Sequence, residues 1–148
     1  MVVILALMLT TLALSGTHPP VVVDGEARTL ERYLNLDREQ RNLAPLQTDE
    51  RLHALALQWA LRMANEHFFA HADAEGRGLV DRLHDAGYEY HYAAENIALD
   101  SDAQAANAGL MHSPGHAANI LSLHARKVGV AAVNIAPNET IFVEDFSD

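Results

Sequence analysis

The stretch KVGVAAVNI, residues 127–135, constrains the fold more than any other part of the chain. It is apolar at odd and even positions alike, so a strand made from it turns apolar side chains to both faces of a sheet. Both faces then need cover. Ala136, Pro137, Asn138 and Glu139 follow as a turn and lead into TIFVEDF, residues 140–146, which together predict a hairpin. The cover has to come from helices upstream. After Thr48, residues Leu52, Leu55, Ala56, Trp59, Ala60 and Met63 keep the i, i+3, i+4, i+7 spacing of one core-facing stripe, with Trp59 inside the core. Thr29 is placed to cap a helix over 30–41, and Asn42 suits its end because asparagine tolerates the left-handed backbone. A short helix is predicted over 79–86, ended by Gly87, and another through DAQAANAGLM, residues 102–111. Tyr88, Tyr90 and Tyr92 alternate, which predicts a strand leading into AAENIA. The expected class is therefore α+β, with helices on both faces of a small, mainly antiparallel sheet.

A chain of 148 residues that is 49% apolar suits one domain with a real core. Acidic residues number 20 against 10 Lys and Arg, spread without long runs, which argues against nucleic acid or an anionic membrane surface as the main partner. There is no cysteine, so any metal would have to be held by histidine and carboxylate rather than thiolate. The opening run MVVILALMLTTLALS offers 13 residues from Val2 to Leu14, too few for a stable membrane span, which takes about 20. It resembles a signal-peptide core, with Ala13 and Ser15 as small residues ahead of cleavage at Gly16, although no Lys or Arg precedes it. The expected division is a signal peptide over 1–15, a spacer over 16–29 containing Pro19, Pro20 and Gly25, and the folded domain over 30–148. A secreted or envelope location follows from it.

The stretch HSPGHAANIL, residues 112–121, carries the first chemical signal. Ser113 suits an N-cap, its hydroxyl accepting from a backbone N–H of the first turn, and Pro114 suits the first helical position. His116 is then the third helical residue, where the helix dipole disfavours the imidazolium and leaves the neutral ring that a metal ligand or proton acceptor requires. Nine histidines prompt a search for partners. His67 and His71 in HFFAH are spaced i, i+4 and could share a helix face and a metal, though the flanking pattern is not H-E-x-x-H. His18, His53, His84, His91, His112 and His124 show no ligand spacing and read as structural or solvated.

Seven segments in order, LNLDREQRNLAPL, LHALALQWALRMANEHFFAH, DRLHDAGY, AENIA, MHSPGHAANIL, KVGVAAV and VEDF, resemble the CAP superfamily of SCP-like extracellular domains over about residues 30–146. The likeness is strongest to its short, cysteine-free bacterial type. It implies a three-layer α-β-α sandwich with a cavity lined by histidines and carboxylates. By this resemblance His71, Glu95 and His116 fall on cavity positions, His71 and His116 as ligands of a divalent metal such as zinc and Glu95 as a catalytic base. A second glutamate, supplied in some members by the helix before the last histidine, has no counterpart in residues 108–112, and Leu110 and Ala117 replace an aromatic and a basic residue.

Three functions are consistent with these residues. The first is a secreted or envelope-associated binding module that takes a small ligand, a lipid or an envelope or protein partner in the cavity. The second is a metal-dependent, peptidase-like hydrolase using the same trio. In the third, the trio is structural, Glu95 bonding backbone N–H groups and His116 to tie the strand to the capped helix.

Overall fold

The computed structural model describes residues 18–148. In chain order its elements are β1 (Val21–Val22), α1 (Asp24–Glu39), β2 (Gln47–Thr48), α2 (Glu50–Glu66), α3 (Leu79–Asp85), β3 (Ala93–Asp100), α4 (Ala103–His112), α5 (Pro114–Ile120), β4 (Lys127–Ala136) and β5 (Glu139–Ser147). The sheet runs β1-β4-β5-β3 with every pairing antiparallel, and β2 adds a short parallel pairing to the start of β4. The apolar run read as an expected signal peptide lies outside the described residues.

The two-faced strand behaves as its sequence requires. Val128, Val130 and Ala132 of β4 pack with Phe142 and Phe146 of β5 against α1, α4 and the end of α5. Ala131, Val133 and Ile135 pack with Ile141 and Val143 against α2. All six residues of the α2 stripe are buried, Trp59 among them. The result is the expected three-layer α-β-α sandwich. At the hairpin, Ala136 pairs with Glu139 across Pro137 and Asn138, and Asn138 takes a left-handed backbone, φ 60°.

Several boundaries differ from the sequence reading. Helix α1 starts at Asp24, inside the stretch read as a spacer, and Thr29 is interior to it, its hydroxyl donating to the Gly25 carbonyl at 2.8 Å. Asp24 and Glu26 in the first turn complement the helix dipole, and the Val23 N–H donates to the Ala132 carbonyl, so the sheet fixes the helix start. Asn42 does adopt the left-handed conformation after α1. Asp49 caps α2, accepting from the N–H groups of Arg51 and Leu52 at 2.9 and 3.0 Å. No strand forms over 88–92: the Tyr88 hydroxyl instead donates to Asp49 at 3.0 Å and lies 2.9 Å from the Ser147 hydroxyl. Tyr88 thereby ties the start of α2 to the end of β5, and the alternation of three aromatic residues is overridden by tertiary contacts.

Beneath the fold a buried arginine acts as a clasp. Arg38, at the end of α1, donates to the carbonyls of Ala44, Ile120 and Ser122 at 2.8, 2.8 and 2.9 Å. Its guanidinium thereby fixes the loop that follows α5 to the loop that follows α1, satisfying carbonyls that burial would otherwise leave unpaired.

Candidate functional site

His67 and His71 do not share a helix face. Helix α2 ends at Glu66, and His67 is its left-handed cap, φ 56°, so the chain turns away before His71. His71 sits in the following loop, which Trp59 holds by donating its indole N–H to the Ala70 carbonyl at 3.1 Å. From there its Nδ1 lies 2.9 Å from Oε1 of Glu95, on the edge strand β3. The Glu95 side chain is only 4% exposed, and its other oxygen accepts from Nη2 of Arg82 on α3. A carboxylate on Nδ1 fixes the ring so that Nε2 is the nitrogen presented outward.

His116 stands in the first turn of α5. Pro114 stands at the first helical position as its chemistry predicts, but the Ser113 hydroxyl makes no bond to a first-turn N–H. It lies instead 2.9 Å from Nδ1 of His116. A ring within reach three residues on competes for the hydroxyl, and the backbone cap is left to the Ser113 carbonyl, which accepts from Ala117 N–H at 2.8 Å. Burial, and then the nearby charge of His71, holds the His116 imidazole below its ordinary range and keeps it neutral at neutral pH. That influence puts the two rings within electrostatic reach of each other.

Glu95 does not reach His116. Its neighbour Asn96 makes the tie between β3 and α5, donating to the His116 carbonyl at 3.2 Å and accepting from Asn119 at 2.9 Å. Successive residues of a strand point to opposite faces, so Glu95 is committed to the α2–α3 side and Asn96 to the α5 side.

Sequence reasoning missed two members of the Glu95 cluster. Arg82 lies over the Trp59 ring, 4.1 Å from its centroid, and Asp145 of β5 is paired in register with Glu95. Asp145 is fully buried, with Nη2 of Arg82 3.9 Å from its Oδ1 and no hydrogen bond to either oxygen. Burial first, then the Glu95 charge, pushes its carboxyl well above the usual carboxylate range, with Arg82 opposing. The available signals were the acid pair Glu144–Asp145 inside the otherwise apolar β5 sequence and an arginine one turn into α3.

Glu144 points to the other face. It is fully buried, accepts from Asn96 at 2.9 Å on one oxygen and has no partner on the other. Burial raises its carboxyl to about 7 against the Asn96 hydrogen bond, with the charge of Asp37 adding to the rise. The folded state therefore retains a proton that the unfolded chain releases, and stability is lost as pH rises from about 4.5 through about 7. Glu144→Gln, which keeps an N–H where the protonated acid has its O–H, is expected to remove this component. Urea unfolding should show the variant gaining up to about 3 kcal/mol on wild type between pH 4.5 and 8. Parallel pH profiles would contradict it.

Among the described residues no three His, Cys, Asp or Glu side chains gather where a metal ion could sit. The donor set is two imidazoles, with both oxygens of Glu95 already engaged by His71 and Arg82. That set does not fit a resident catalytic zinc, which takes three protein ligands and an open position.

The layered fold and the polar edge beside β3 define a class of α-β-α sandwich domains. The sequence profile of the CAP, or cysteine-rich secretory protein, family matches residues 31–146, and the chain belongs to that family. It is 29% identical over 118 residues to the uncharacterized protein YkwD of Bacillus subtilis, covering 79% of this chain and 46% of that one. It is 30% identical over 97 residues to the uncharacterized membrane protein YlbC of the same organism, covering 65% of this chain and 28% of the other. The chain thus spans less than half the length of these two relatives. Among solved structures, an extracellular SCP-domain protein of Bacillus anthracis superposes with a TM-score of 0.74 at 26% identity over 84% of this chain and 40% of that one. An outer surface protein of Borrelia burgdorferi superposes with a TM-score of 0.79 at 20% identity, covering 86% and 97% of the two chains. Among the described residues no helix is long and apolar enough to cross a membrane.

Proposed function

We propose that the chain is a secreted or envelope-associated binding domain that recognises a small ligand or envelope partner through the concavity shared by His71, Glu95 and His116. One observation carries this reading: each imidazole is held at Nδ1 by a side chain of its own, Glu95 or Ser113. Two rings so held offer Nε2 as preorganised hydrogen-bonding groups, and a ligand that meets them has little ordering left to do. The extracellular and outer-surface descriptions of the two structural relatives support the location, as does the apolar N-terminal run. Glu95 is cast as a positioning residue. With one oxygen on His71 and the other on Arg82, it is not poised to abstract a proton, and the hydrolase reading has no separate support.

Zinc is the probe that separates the two. Calorimetric titration of the full chain is expected to show at most micromolar affinity, about −8 kcal/mol or weaker, which a His71→Ala, His116→Ala double variant abolishes without loss of folded circular dichroism. Nanomolar binding would overturn the ligand-recognition reading in favour of a resident metal. Binding unchanged in the double variant would overturn the shared concavity itself.

A further inference from the structure

A second concavity, of about 370 Å³, is lined by His91, Tyr92, Leu123, His124, Arg126 and Asp148 and contains none of the residues of the His71–His116 site. Its volume falls in the range of small-molecule pockets. Its frame is built from the starts of β3 and β4. The Asp148 carboxylate accepts from the N–H groups of His91 and Tyr92 at 2.8 and 2.9 Å, and the Arg126 N–H donates to the Ser147 carbonyl at 2.8 Å. The other wall is the loop after α5, which the buried Arg38 clasps at the carbonyls of Ile120 and Ser122 and in which the His124 N–H donates to the Ser122 hydroxyl at 3.1 Å.

That pinned loop holds out Leu123, 75% exposed, the most exposed large apolar side chain among the described residues. A leucine left in water on a loop this firmly fixed is available for an apolar partner. Beside it the Tyr92 and His124 rings lie 5.6 Å apart at 33°, forming a partly flat wall. The charges complete the pattern. In a chain of net charge −10, Arg126 and the chain's single lysine, Lys127, are adjacent here. Lys127 donates to the main-chain oxygen of Asp148 at 2.9 Å, whereas the Arg126 guanidinium has no hydrogen-bond or ion-pair partner among the described residues. The Asp148 carboxylate stays charged but is turned to the His91 and Tyr92 N–H groups and, at 3.2 Å, to Nδ1 of His91, and it makes no ion pair with Arg126.

We infer that this concavity is a binding site for a small carboxylate with an apolar body, the carboxylate pairing with Arg126 and the apolar part lying between Leu123 and the Tyr92–His124 wall. A free organic acid and the C-terminus of a peptide ending in an apolar residue share this chemistry. A planar guanidinium suits the carboxylate in both. The selectivity lies in the pairing of that cation with an exposed apolar side chain on a rigid frame.

The test is amide chemical-shift titration of the full chain with N-acetyl-phenylalanine, its carboxamide, and a tetrapeptide ending in phenylalanine with a free C-terminus. Saturable shifts are expected at Tyr92, Leu123, His124 and Arg126, in the millimolar range, with the carboxamide weaker by about tenfold. Arg126→Gln should give the same loss with circular dichroism unchanged, and Leu123→Ser a smaller one. A tetrapeptide bound more tightly than the acid by about tenfold identifies a peptide C-terminus as the source, and equal affinities identify a free acid. The inference is overturned by equal binding of acid and carboxamide, by indifference to Arg126→Gln, or by shifts confined to residues around His71 and His116.

Discussion

Gly129→Ala is expected to cost the domain about 3 kcal/mol or more, lowering its melting temperature by about 10 °C or more. A Cβ at position 129 would stand 2.1 Å from the backbone nitrogen of His53, 2.2 Å from the carbonyl carbon of Leu52 and 2.6 Å from its Cβ. These are atoms of the first turns of α2, so no side chain can rotate out of the way. Nor can the helix back off at low cost. The Asp49 N–H donates to the Val128 carbonyl at 2.9 Å, and Nδ1 of His53 lies 2.7 Å from the Val130 carbonyl, so the same turn is bonded to β4 on both sides of the glycine. Gly109→Ala is the matched control. There a Cβ would meet only Asp100 Oδ2, at 3.8 Å, inside α4, and alanine's better helix propensity should leave stability equal or improved. A Gly129→Ala protein within about half a kcal/mol of wild type in urea unfolding would show that the α2–β4 contact has slack.

The second large effect belongs to Arg82. Its guanidinium pairs with Glu95, lies near Asp145 and stacks over Trp59, while its side chain is 13% exposed. Replacing it with leucine strands a buried carboxylate without its cation, and losses of about 3–5 kcal/mol are usual when one partner of a buried pair is removed. Arg82→Lys should recover only part of this, since an ammonium restores the charge but not the flat contact with the indole. Asp145→Asn should cost less than Arg82→Leu, because burial already disfavours the charged form of that carboxyl. Denaturant unfolding of the three variants separates these effects. An Arg82→Leu variant as stable as wild type would mean that the Glu95 cluster contributes nothing to the fold.

Much of the architecture was legible because one periodic signal implied the next. Apolar residues on both faces of β4 required two layers of cover, and the α2 stripe supplied one of them with every member buried as read. The hairpin turn and the left-handed Asn42 followed from local backbone chemistry in the same way. What failed were local assignments that longer-range contacts outbid. Thr29 fell inside α1 because the sheet contact of Val23 starts that helix earlier. The tyrosines at 88–92 stayed out of the sheet because Tyr88 is drawn to Asp49 and Ser147.

The site divides along the same line. Motif order named His71, Glu95 and His116, and the rigid start of α5 at Pro114 could be read from residues alone. The identity of each ring's Nδ1 partner could not. His71 and Glu95 are 24 residues apart, Arg82 reaches the same carboxylate from another helix, and Asp145 becomes its neighbour only through strand register. Periodicity reports which face of its own element a side chain occupies, because that is set by backbone geometry within a few residues. Which side chain from elsewhere meets it there is settled by how the layers close over the sheet, and with that the burial of Asp145 and Glu144, the partners of Glu95 and the outward nitrogen of His71.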